Sequence, residues 1–376
     1  MLKLFRKSER KKKMPELIKN RFHQESIEQF AQAFQSVYPT FKVKEFLKAI
    51  LDETWDDLEL KNRIHRIAFT LGQFLPSDYA KAITLIDQVV TMNSIEVCRF
   101  WIFPTFVELY GQETENWTIS IEALARYTSY STSEFAVRPF IFKDEKRMMA
   151  QIYKWSKDEN EHIRRLASEG CRPQLPWAQA LPNYKKDPTP ILPILEQLKA
   201  DPSLYVRKSV ANNLNDISKT HPELVIKIAK EWYGENDFTN WIVKHACRTL
   251  LKKGNHEVLE IFGYHDGTAI DVSDFSLKES SILLGNTLVF SFSIQSNVAK
   301  KVRLEYGIDY VKANGKRNRK IFKLSELLLK ENQKANYTKK HAFADLSTRK
   351  HYPGIHSITL IINGIEHQTL DFELKR

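Results

Sequence analysis

The hydrophobic pattern divides this chain into a long helical part and a shorter strand-like part. From about Pro15 to Gly263, apolar residues recur with a period close to 3.6, which predicts one amphipathic helix after another with short polar breaks. Two early stretches, 26–37 and 43–55, have the same design. Their apolar stripes are formed by Ile27, Phe30, Ala31, Phe34 and Val37 in the first, and by Phe46, Leu47, Ile50 and Leu51 in the second.

The later helices repeat at a regular spacing. Ile163, Val206 and Val243 each begin an i, i+4, i+8 apolar series and are each followed by Arg or Lys, with separations of 43 and 37 residues. This spacing is typical of HEAT-like helical repeats, whose stacked helix pairs form a solenoid with one concave face. The three series are Ile163, Ala167, Cys171; Val206, Val210, Leu214; and Val243, Cys247, Leu251.

After residue 266 the pattern changes to alternation. Stretches 287–294, 302–311 and 355–362 alternate as strands do, and Asn363-Gly364 is a type I′ hairpin signal. Several short strands in about a hundred residues are typical of an immunoglobulin-like sandwich. The predicted fold is therefore mainly α, a HEAT-like α-solenoid followed by a small all-β immunoglobulin-like sandwich. The predicted division is a basic tail at 1–14, helical repeats at 15–266 and the β domain at 267–376.

Charge is concentrated at the two ends. The 376 residues have a formal net charge of +11, and residues 1–14 alone contain seven Lys or Arg and one Glu. Residues 267–376 contain eighteen basic and eleven acidic side chains, so the intervening helical part is slightly acidic. Basic ends favour a polyanion such as nucleic acid as partner, with solubility charge as the alternative.

Targeting and cysteine signals are weak. The basic start lacks the apolar core of a secretion signal, and no stretch approaches the roughly 20 apolar residues that span a bilayer. Cys98, Cys171 and Cys247 lack the C-x-x-C spacing of zinc or redox sites and are interpreted as buried thiols. We expect a cytoplasmic monomer that associates with the nucleoid when bound to DNA, without a membrane partner.

Basic residues near helix starts and in one loop between predicted strands are candidates for binding a DNA backbone. On the inner face of a solenoid the helical set would form a basic track, although each residue alone could simply be solvated. The loop set surrounds Asn314-Gly315, with an ordinary charged surface as the alternative. The candidates are Arg138, Arg164, Arg165, Arg172, Arg207 and Lys208 in the helices, and Lys312, Lys316, Arg317, Arg319 and Lys320 around the loop.

Three acids and one aromatic residue stand out. Glu134 is placed near a helix start, where a capping role is the alternative. Glu169 is predicted at the C-terminal end of its helix, where the helix dipole disfavours a carboxylate. Asp216 ends another helix, and Trp177 follows Pro176 in a loop, either packed or held out as a stacking surface.

These residues suit cleavage of an N-glycosidic bond. Such cleavage passes through an oxocarbenium-like sugar, which carboxylates stabilise while one of them orients the attacking water. The sequence contains no H-E-x-x-H, no phosphate-binding glycine loop and no nucleophile elbow, so we predict neither a metal nor a cofactor. Acids without a strong proton donor favour a base that is already cationic as the leaving group.

Three segments give the chain a specific resemblance. SEFAVRPF at 133–140, RRLASEGCRPQLPW at 164–177 and YVRKSVANNLNDISKTHPE at 205–223 resemble the signature segments of bacterial AlkC-type DNA alkylation repair glycosylases, relatives of the AlkD type. The resemblance implies excision of cationic alkylated bases, chiefly 3-methyladenine, from duplex DNA. It implies that Glu134, Glu169 and Asp216 surround the deoxyribose and that Trp177 contacts the lesion nucleotide. The alternative from another class is a non-enzymatic HEAT-repeat scaffold that binds DNA or protein.

Overall fold

The computed structural model describes residues 17–92, 100–265, 270–345 and 350–376. The predicted basic tail at 1–14, Cys98 and the predicted domain boundary at 266/267 lie outside these ranges. The described chain is helical as far as Ile261 and forms strands from Asp271 onwards. It divides into two compact units, one ending at Leu198 and the other beginning at Lys199.

The first unit is helical throughout its described residues. Successive helices pack as neighbours, α1 on α2, α2 on α3, α5 on α6, and α8 on α7 and α9. Its helices are α1 (Gln24–Val37), α2 (Val43–Ile50), α3 (Leu60–Phe74), α4 (Tyr79–Val90), α5 (Ile102–Tyr110), α6 (Trp117–Tyr127), α7 (Val137–Lys143), α8 (Glu145–Trp155), α9 (Glu161–Gly170), α10 (Pro182–Lys186) and α11 (Leu192–Gln197).

The apolar stripe predicted for residues 26–37 is confirmed, since its large side chains are buried in α1. Phe30 and Phe34 pack edge to face with ring centroids 5.1 Å apart, and Phe30 stacks on Phe103 of α5. The second predicted stretch ends earlier than expected, because α2 stops at Ile50. Trp55 then lies in a short 3-10 turn, where its buried indole donates a hydrogen bond to the Phe22 carbonyl.

The second unit combines five helices with the β domain. Its helices are α12 (Leu204–Ile217), α13 (Pro222–Trp232), α14 (Asp237–Ala246), α15 (Arg248–Lys252) and α16 (His256–Ile261). Its strands are β1 (Asp271–Leu277), β2 (Ser281–Leu283), β3 (Thr287–Gln295), β4 (Lys300–Val311), β5 (Arg317–Leu329), β6 (Lys334–Ala342), β7 (Gly354–Ile362) and β8 (Ile365–Lys375).

The strands form two sheets around one apolar core. The three-stranded sheet has the order β1-β3-β6 and the five-stranded sheet has the order β2-β8-β7-β4-β5, antiparallel except for the β2–β8 pair. Inward residues from both sheets, including Phe290, Phe292, Ile308 and Leu360, are buried together. This arrangement of two layers confirms the predicted sandwich.

The hairpin predicted at Asn363-Gly364 is confirmed, and it also joins the sandwich to the helices of the same unit. Asn363 and Gly364 have φ of 47° and 80°, as a type I′ turn requires. A Cβ on Gly364 would lie 2.6 Å from a methyl carbon of Leu259, so the backbone approaches α16 too closely for a side chain. The Asn363 amide donates to the His265 carbonyl at 2.7 Å. The sandwich therefore rests on the last helices of the repeat region.

The remaining sequence expectations about burial are borne out where the structure describes the residues. Cys171 and Cys247 are fully buried thiols that form no disulfide in the described chain, and burial raises the pKa of Cys247 to about 12. Within the described ranges, no helix combines the length and the apolarity needed to cross a membrane.

Candidate functional site

Two of the three predicted acids meet in the first unit. Glu134 lies in the turn before α7, and Glu169 is the penultimate residue of α9. The Arg165 guanidinium forms an ion pair with Glu134 Oε2 and lies 3.7 Å from Glu169 Oε1. The two glutamates are 9% and 5% exposed, so these carboxylates are held together in a largely dehydrated place. Sequence analysis predicts that these acids gather at one site, and the first unit brings this pair together.

Arginines also compensate for the position of Glu169. A carboxylate near a helix C-terminus is repelled by the helix dipole. Arg165 precedes Glu169 by one helical turn, and the Arg172 guanidinium contacts Glu169 Oε1 at 2.5 Å from the other side. Both arginines were predicted to contact DNA. In this structure they hold the carboxylates, with side chains only 13% and 9% exposed.

Trp177 is held out of the loop that follows α9. Its side chain is 67% exposed, although most tryptophans are buried. Its backbone has φ of 66°, a left-handed conformation that is strained for a bulky residue and persists only when the surroundings impose it. The sequence allows Trp177 to be either packed or exposed as a stacking surface. In the structure it is exposed.

Two cations hold this loop in its strained conformation. The Arg138 side chain is 1% exposed and donates to the carbonyls of Gly170, Arg172 and Gln179 at 2.6 to 3.1 Å. Lys61, from α3, donates to the Trp177 carbonyl at 2.5 Å. The predicted contact of Arg138 with DNA does not fit this burial. Its guanidinium instead fixes the base of the Trp177 loop.

The third acid, Asp216, belongs to the second unit. It lies near the end of α12, is 4% exposed, and accepts a hydrogen bond from the Lys219 ammonium at 2.8 Å. The same helix end is polar and buried, since Asn215 accepts from the Thr249 hydroxyl at 2.8 Å.

The arginines that recur with the repeat have a structural role. Arg164 in α9 donates to the carbonyls of Asp158 and Glu159, and Arg207 in α12 donates to those of Asp201 and Pro202. All four distances are 2.7 to 2.9 Å. Each arginine is the fourth residue of its helix and folds back on the loop before it. The expectation of a basic track is thus not supported by the geometry of these two guanidinium groups.

The other predicted DNA ligands are all exposed but differ in the partners of their side chains. Lys208 on α12 and Lys312, Lys316 and Lys320 of the β4–β5 hairpin are exposed. Arg317 donates to the Ser357 hydroxyl, and Arg319 is ion-paired with Asp309 and Glu366 across the sheet. These carboxylates raise the pKa of Arg319 further above its ordinary value. The lysine side chains are exposed to solvent, whereas the Arg319 guanidinium donates hydrogen bonds to Asp309 and Glu366 within the sheet.

Lys61, Thr132 and Glu108 were missed by the sequence analysis. The Thr132 hydroxyl donates to Glu134 Oε2 at 2.8 Å and also contacts Arg165. Burial raises the pKa of Glu108 on α5, while the Lys61 ammonium opposes that rise. Thr132 lies two residues before Glu134, so its closeness in sequence to a predicted site residue could have identified it. Lys61 is 116 residues from Trp177, so no local pattern could have found it.

No metal site is formed by the described part of the chain. No group of three or more His, Cys, Asp or Glu side chains in it is arranged to hold a metal ion. The candidate site contains paired carboxylates, guanidinium groups and an exposed indole.

Comparisons with known proteins identify relatives of both the helical part and the β domain. A family model described as DNA alkylation repair enzyme matches residues 108–250, and one described as the C-terminal Ig-like domain of uncharacterised protein YhaZ matches residues 271–376. The chain is 48% identical to the uncharacterized protein YhaZ of Bacillus subtilis (strain 168) over 357 residues, which cover 95% of this chain and 99% of that protein.

A solved structure is similar over almost the whole length. It is that of the Pseudomonas fluorescens alkylpurine DNA glycosylase AlkC bound to DNA containing an abasic site analog, with a TM-score of 0.92 and 36% identity. The match covers 96% of this chain and 100% of the AlkC chain. The predicted fold class, a helical-repeat region followed by an immunoglobulin-like sandwich, is thereby confirmed. The chain belongs to the AlkC-type family of DNA alkylation repair enzymes.

Proposed function

We propose that this protein is a monofunctional DNA glycosylase that hydrolyses the N-glycosidic bond of cationic alkylated bases, chiefly 3-methyladenine, in duplex DNA. The observation that carries the proposal is the meeting of the buried Glu134 and Glu169 at Arg165, beside the loop that exposes Trp177. The similar AlkC structure, with its DNA containing an abasic site analog, supports duplex DNA as the partner.

The reaction needs negative charge near the sugar more than it needs a proton donor. The bond between C1′ and the base breaks, and its electron pair moves to the cationic base, which leaves neutral. The deoxyribose then carries positive charge, and a carboxylate about 4 Å away stabilises it by about 4 kcal/mol at an effective dielectric constant near 20. We assign this task to Glu134, Glu169 and Asp216.

Water completes the reaction. A water oxygen attacks C1′ and its proton passes to one of the three carboxylates, so that the products are an abasic site and a free alkylated base. Arg165 and Arg172 keep the glutamate oxygens in fixed positions, which is how a site avoids reorganising as charge develops. Trp177 contacts the lesion nucleotide with its exposed indole.

Base release from alkylated DNA tests the proposal. Purified protein is incubated with methylated duplex, and the released bases are separated and identified by mass. We expect 3-methyladenine from the wild type and about 100-fold to 1,000-fold slower release from Glu134→Gln, the range found when one transition-state electrostatic contact is removed. Glu159→Gln is the matched control, because it makes the same change on an exposed residue.

The outcomes separate the enzyme from the scaffold. Release by the wild type and the control but not by Glu134→Gln supports the glycosylase. A wild type that binds duplex DNA and leaves every alkylated base in place contradicts the glycosylase and favours a non-enzymatic scaffold.

A further inference from the structure

A basic cleft lies within the second unit, where α14 and α15 meet the outer face of β4 and β5. Its volume is about 290 Å³. The cations that line it are Lys244, Arg248, Lys252, Arg303 and Lys323, and Glu326 is the carboxylate among its lining residues. The proposed catalytic acids Glu134, Glu169 and Asp216 do not line this cleft, and neither does Trp177. The cleft is thus a separate feature with an excess of positive charge.

Ion pairing inside the cleft leaves part of this charge unbalanced. Glu326 contacts Lys244 and Arg303, each at 2.6 Å, and Lys323 more distantly at 3.8 Å. Arg303 also pairs with the buried Glu305, yet its Nε is buried without a hydrogen-bond partner in the described structure. Apart from Arg248, the four lining cations Lys244, Lys252, Arg303 and Lys323 thus face two carboxylates. Such an excess of positive charge attracts anions.

The two sides of the cleft differ in exposure. Lys252 and Lys323 are exposed at its mouth, and no carboxylate of the described chain lies within ion-pairing distance of Lys252. Arg248 is held in place, since it donates to the His245 carbonyl at 2.7 Å and to Asn212 Oδ1 at 3.0 Å. The fixed guanidinium group of Arg248 and the exposed ammonium groups of Lys252 and Lys323 are donors that suit the oxygens of a phosphate.

An aromatic shelf forms the remaining wall. The rings of Trp241 and His245 stack with centroids 5.0 Å apart and an interplanar angle of 13°. Burial, and then the charges of Arg248 and Lys208, lower the pKa of His245, so its ring is neutral at neutral pH. A flat, uncharged shelf beside an anion site suits a sugar or base attached to the phosphate.

The cleft also adjoins the helix face that carries Asp216. Arg248 contacts Asn212, which precedes Asp216 by one turn of α12, and residues four apart lie on the same helix face. The second unit therefore places an anion site about one helical turn from a proposed catalytic carboxylate.

We propose that this cleft seats one backbone phosphate of the DNA strand that the enzyme engages, with the attached nucleoside against Trp241. The partner, DNA, comes from the proposed function. The site itself is carried by the unbalanced charge, the fixed guanidinium groups and the aromatic wall. It supplies a sequence-independent contact that positions the duplex relative to α12.

The salt dependence of binding to undamaged duplex tests the site. Lys252→Gln/Lys323→Gln removes the two exposed charges at the mouth, and Lys253→Gln/Lys330→Gln removes two exposed charges outside the cleft. If the cleft holds one phosphate, the first variant lowers the slope of log K against log salt by about 1 relative to the second. We expect its affinity at 0.1 M salt to be about fivefold to tenfold below that of the control. Equal slopes and affinities for the two variants would overturn the assignment.

A scan with single methylphosphonates locates the phosphate. Replacing one phosphodiester at a time by a neutral linkage weakens binding of the wild type and of the control at one position more than at its neighbours. The Lys252→Gln/Lys323→Gln variant is insensitive to that position, since the contact is already lost. A scan in which every position weakens both variants equally contradicts a discrete site. Because undamaged DNA is used, base release plays no part, and failure of the glycosylase proposal remains distinguishable.

Discussion

Helices α9 and α12, one from each compact unit, share their first turn and differ beyond it. In both, an aspartate two residues before the capping residue accepts a hydrogen bond from the backbone N–H of that capping residue, and the capping side chain accepts from the N–H of the second helical residue. In both, the fourth residue is an arginine that binds the preceding loop. The residue after it is Arg165 in α9, which pairs with two glutamates, and Lys208 in α12, which is exposed and lies near His245.

The far ends of the two helices differ more. Five residues after the shared arginine, α9 has Glu169 and α12 has Asn212. Helix α12 continues for a further turn and carries Asp216, whereas α9 ends at Gly170 and leads into the loop that exposes Trp177. Features that recur with the repeat build the fold. Features that break the repeat are the candidates for chemistry.

The largest effect is expected at a position that breaks the repeat. Asp216→Asn keeps the shape and removes the negative charge, so base release falls about 100-fold or more. Lys219→Gln removes the partner of Asp216 but keeps the carboxylate, and it retains release within a few fold. Single-turnover rates of the two variants check this pair. Equal rates for Asp216→Asn and the wild type would remove this carboxylate from the mechanism.

The next largest effect, on stability, is expected at Arg207, which occupies the same position in α12 as Arg164 does in α9. Arg207→Met removes two hydrogen bonds to loop carbonyls and the cation–π contact with Phe238, whose ring centre is 4.3 Å from the guanidinium carbon. We expect the free energy of unfolding to fall by about 1.5 to 3 kcal/mol, measured by urea denaturation. Lys208→Met, on the next residue, is the control and leaves stability nearly unchanged. Stability equal to wild type with a flatter salt dependence of DNA binding would make Arg207 a DNA ligand instead.

A smaller effect tests how the Trp177 loop is held. Lys61→Met removes the donor to the Trp177 carbonyl, at a cost of about 1.5 kcal/mol, or about tenfold in rate, if the strained loop positions the lesion. Quenching of Trp fluorescence by acrylamide should increase, because the indole becomes more mobile. Lys81→Met, on the exposed face of α4, is the control. Unchanged rate and unchanged quenching would mean that Arg138 alone fixes this loop.

The smallest effect is expected on the pKa of His245. Burial is the main cause of the lowered pKa of His245, and Arg248 and Lys208 add to it. A histidine with a lowered folded pKa contributes stability that is present above pH 6.5, its ordinary pKa, and is lost as the pH falls below that value. Lys208→Gln should raise the pKa of His245, measured by NMR of the imidazole, while Lys227→Gln should not. An unmoved titration in Lys208→Gln would show that burial and Arg248 account for the shift.

Much of this comparison was accessible from the sequence. Periodicity identified the starts of α9 and α12 and the strands of the sandwich, because burial imposes regular spacing on apolar residues. It also nominated Arg164 and Arg207 as DNA ligands, because a pattern of charges does not show that each guanidinium folds back on its own loop. The resemblance of three segments singled out Glu134 and Glu169. That Arg165 pairs with both of them and that Arg172 pairs with Glu169 could be seen only in the tertiary structure. Lys61 and the cleft beside Trp241 involve residues distant in sequence and required the structure.

We propose that the acids which break the repeat perform the chemistry, while the arginines that follow the repeat build the fold. Single-turnover release of 3-methyladenine by Glu169→Gln and Arg164→Met, with the melting temperature of each, tests this directly. We predict that Glu169→Gln loses about 100-fold in rate at a melting temperature near that of the wild type, and that Arg164→Met melts several degrees lower but retains its rate well below that temperature. Wild-type release by Glu169→Gln, together with loss of release by a stably folded Arg164→Met, would contradict the claim.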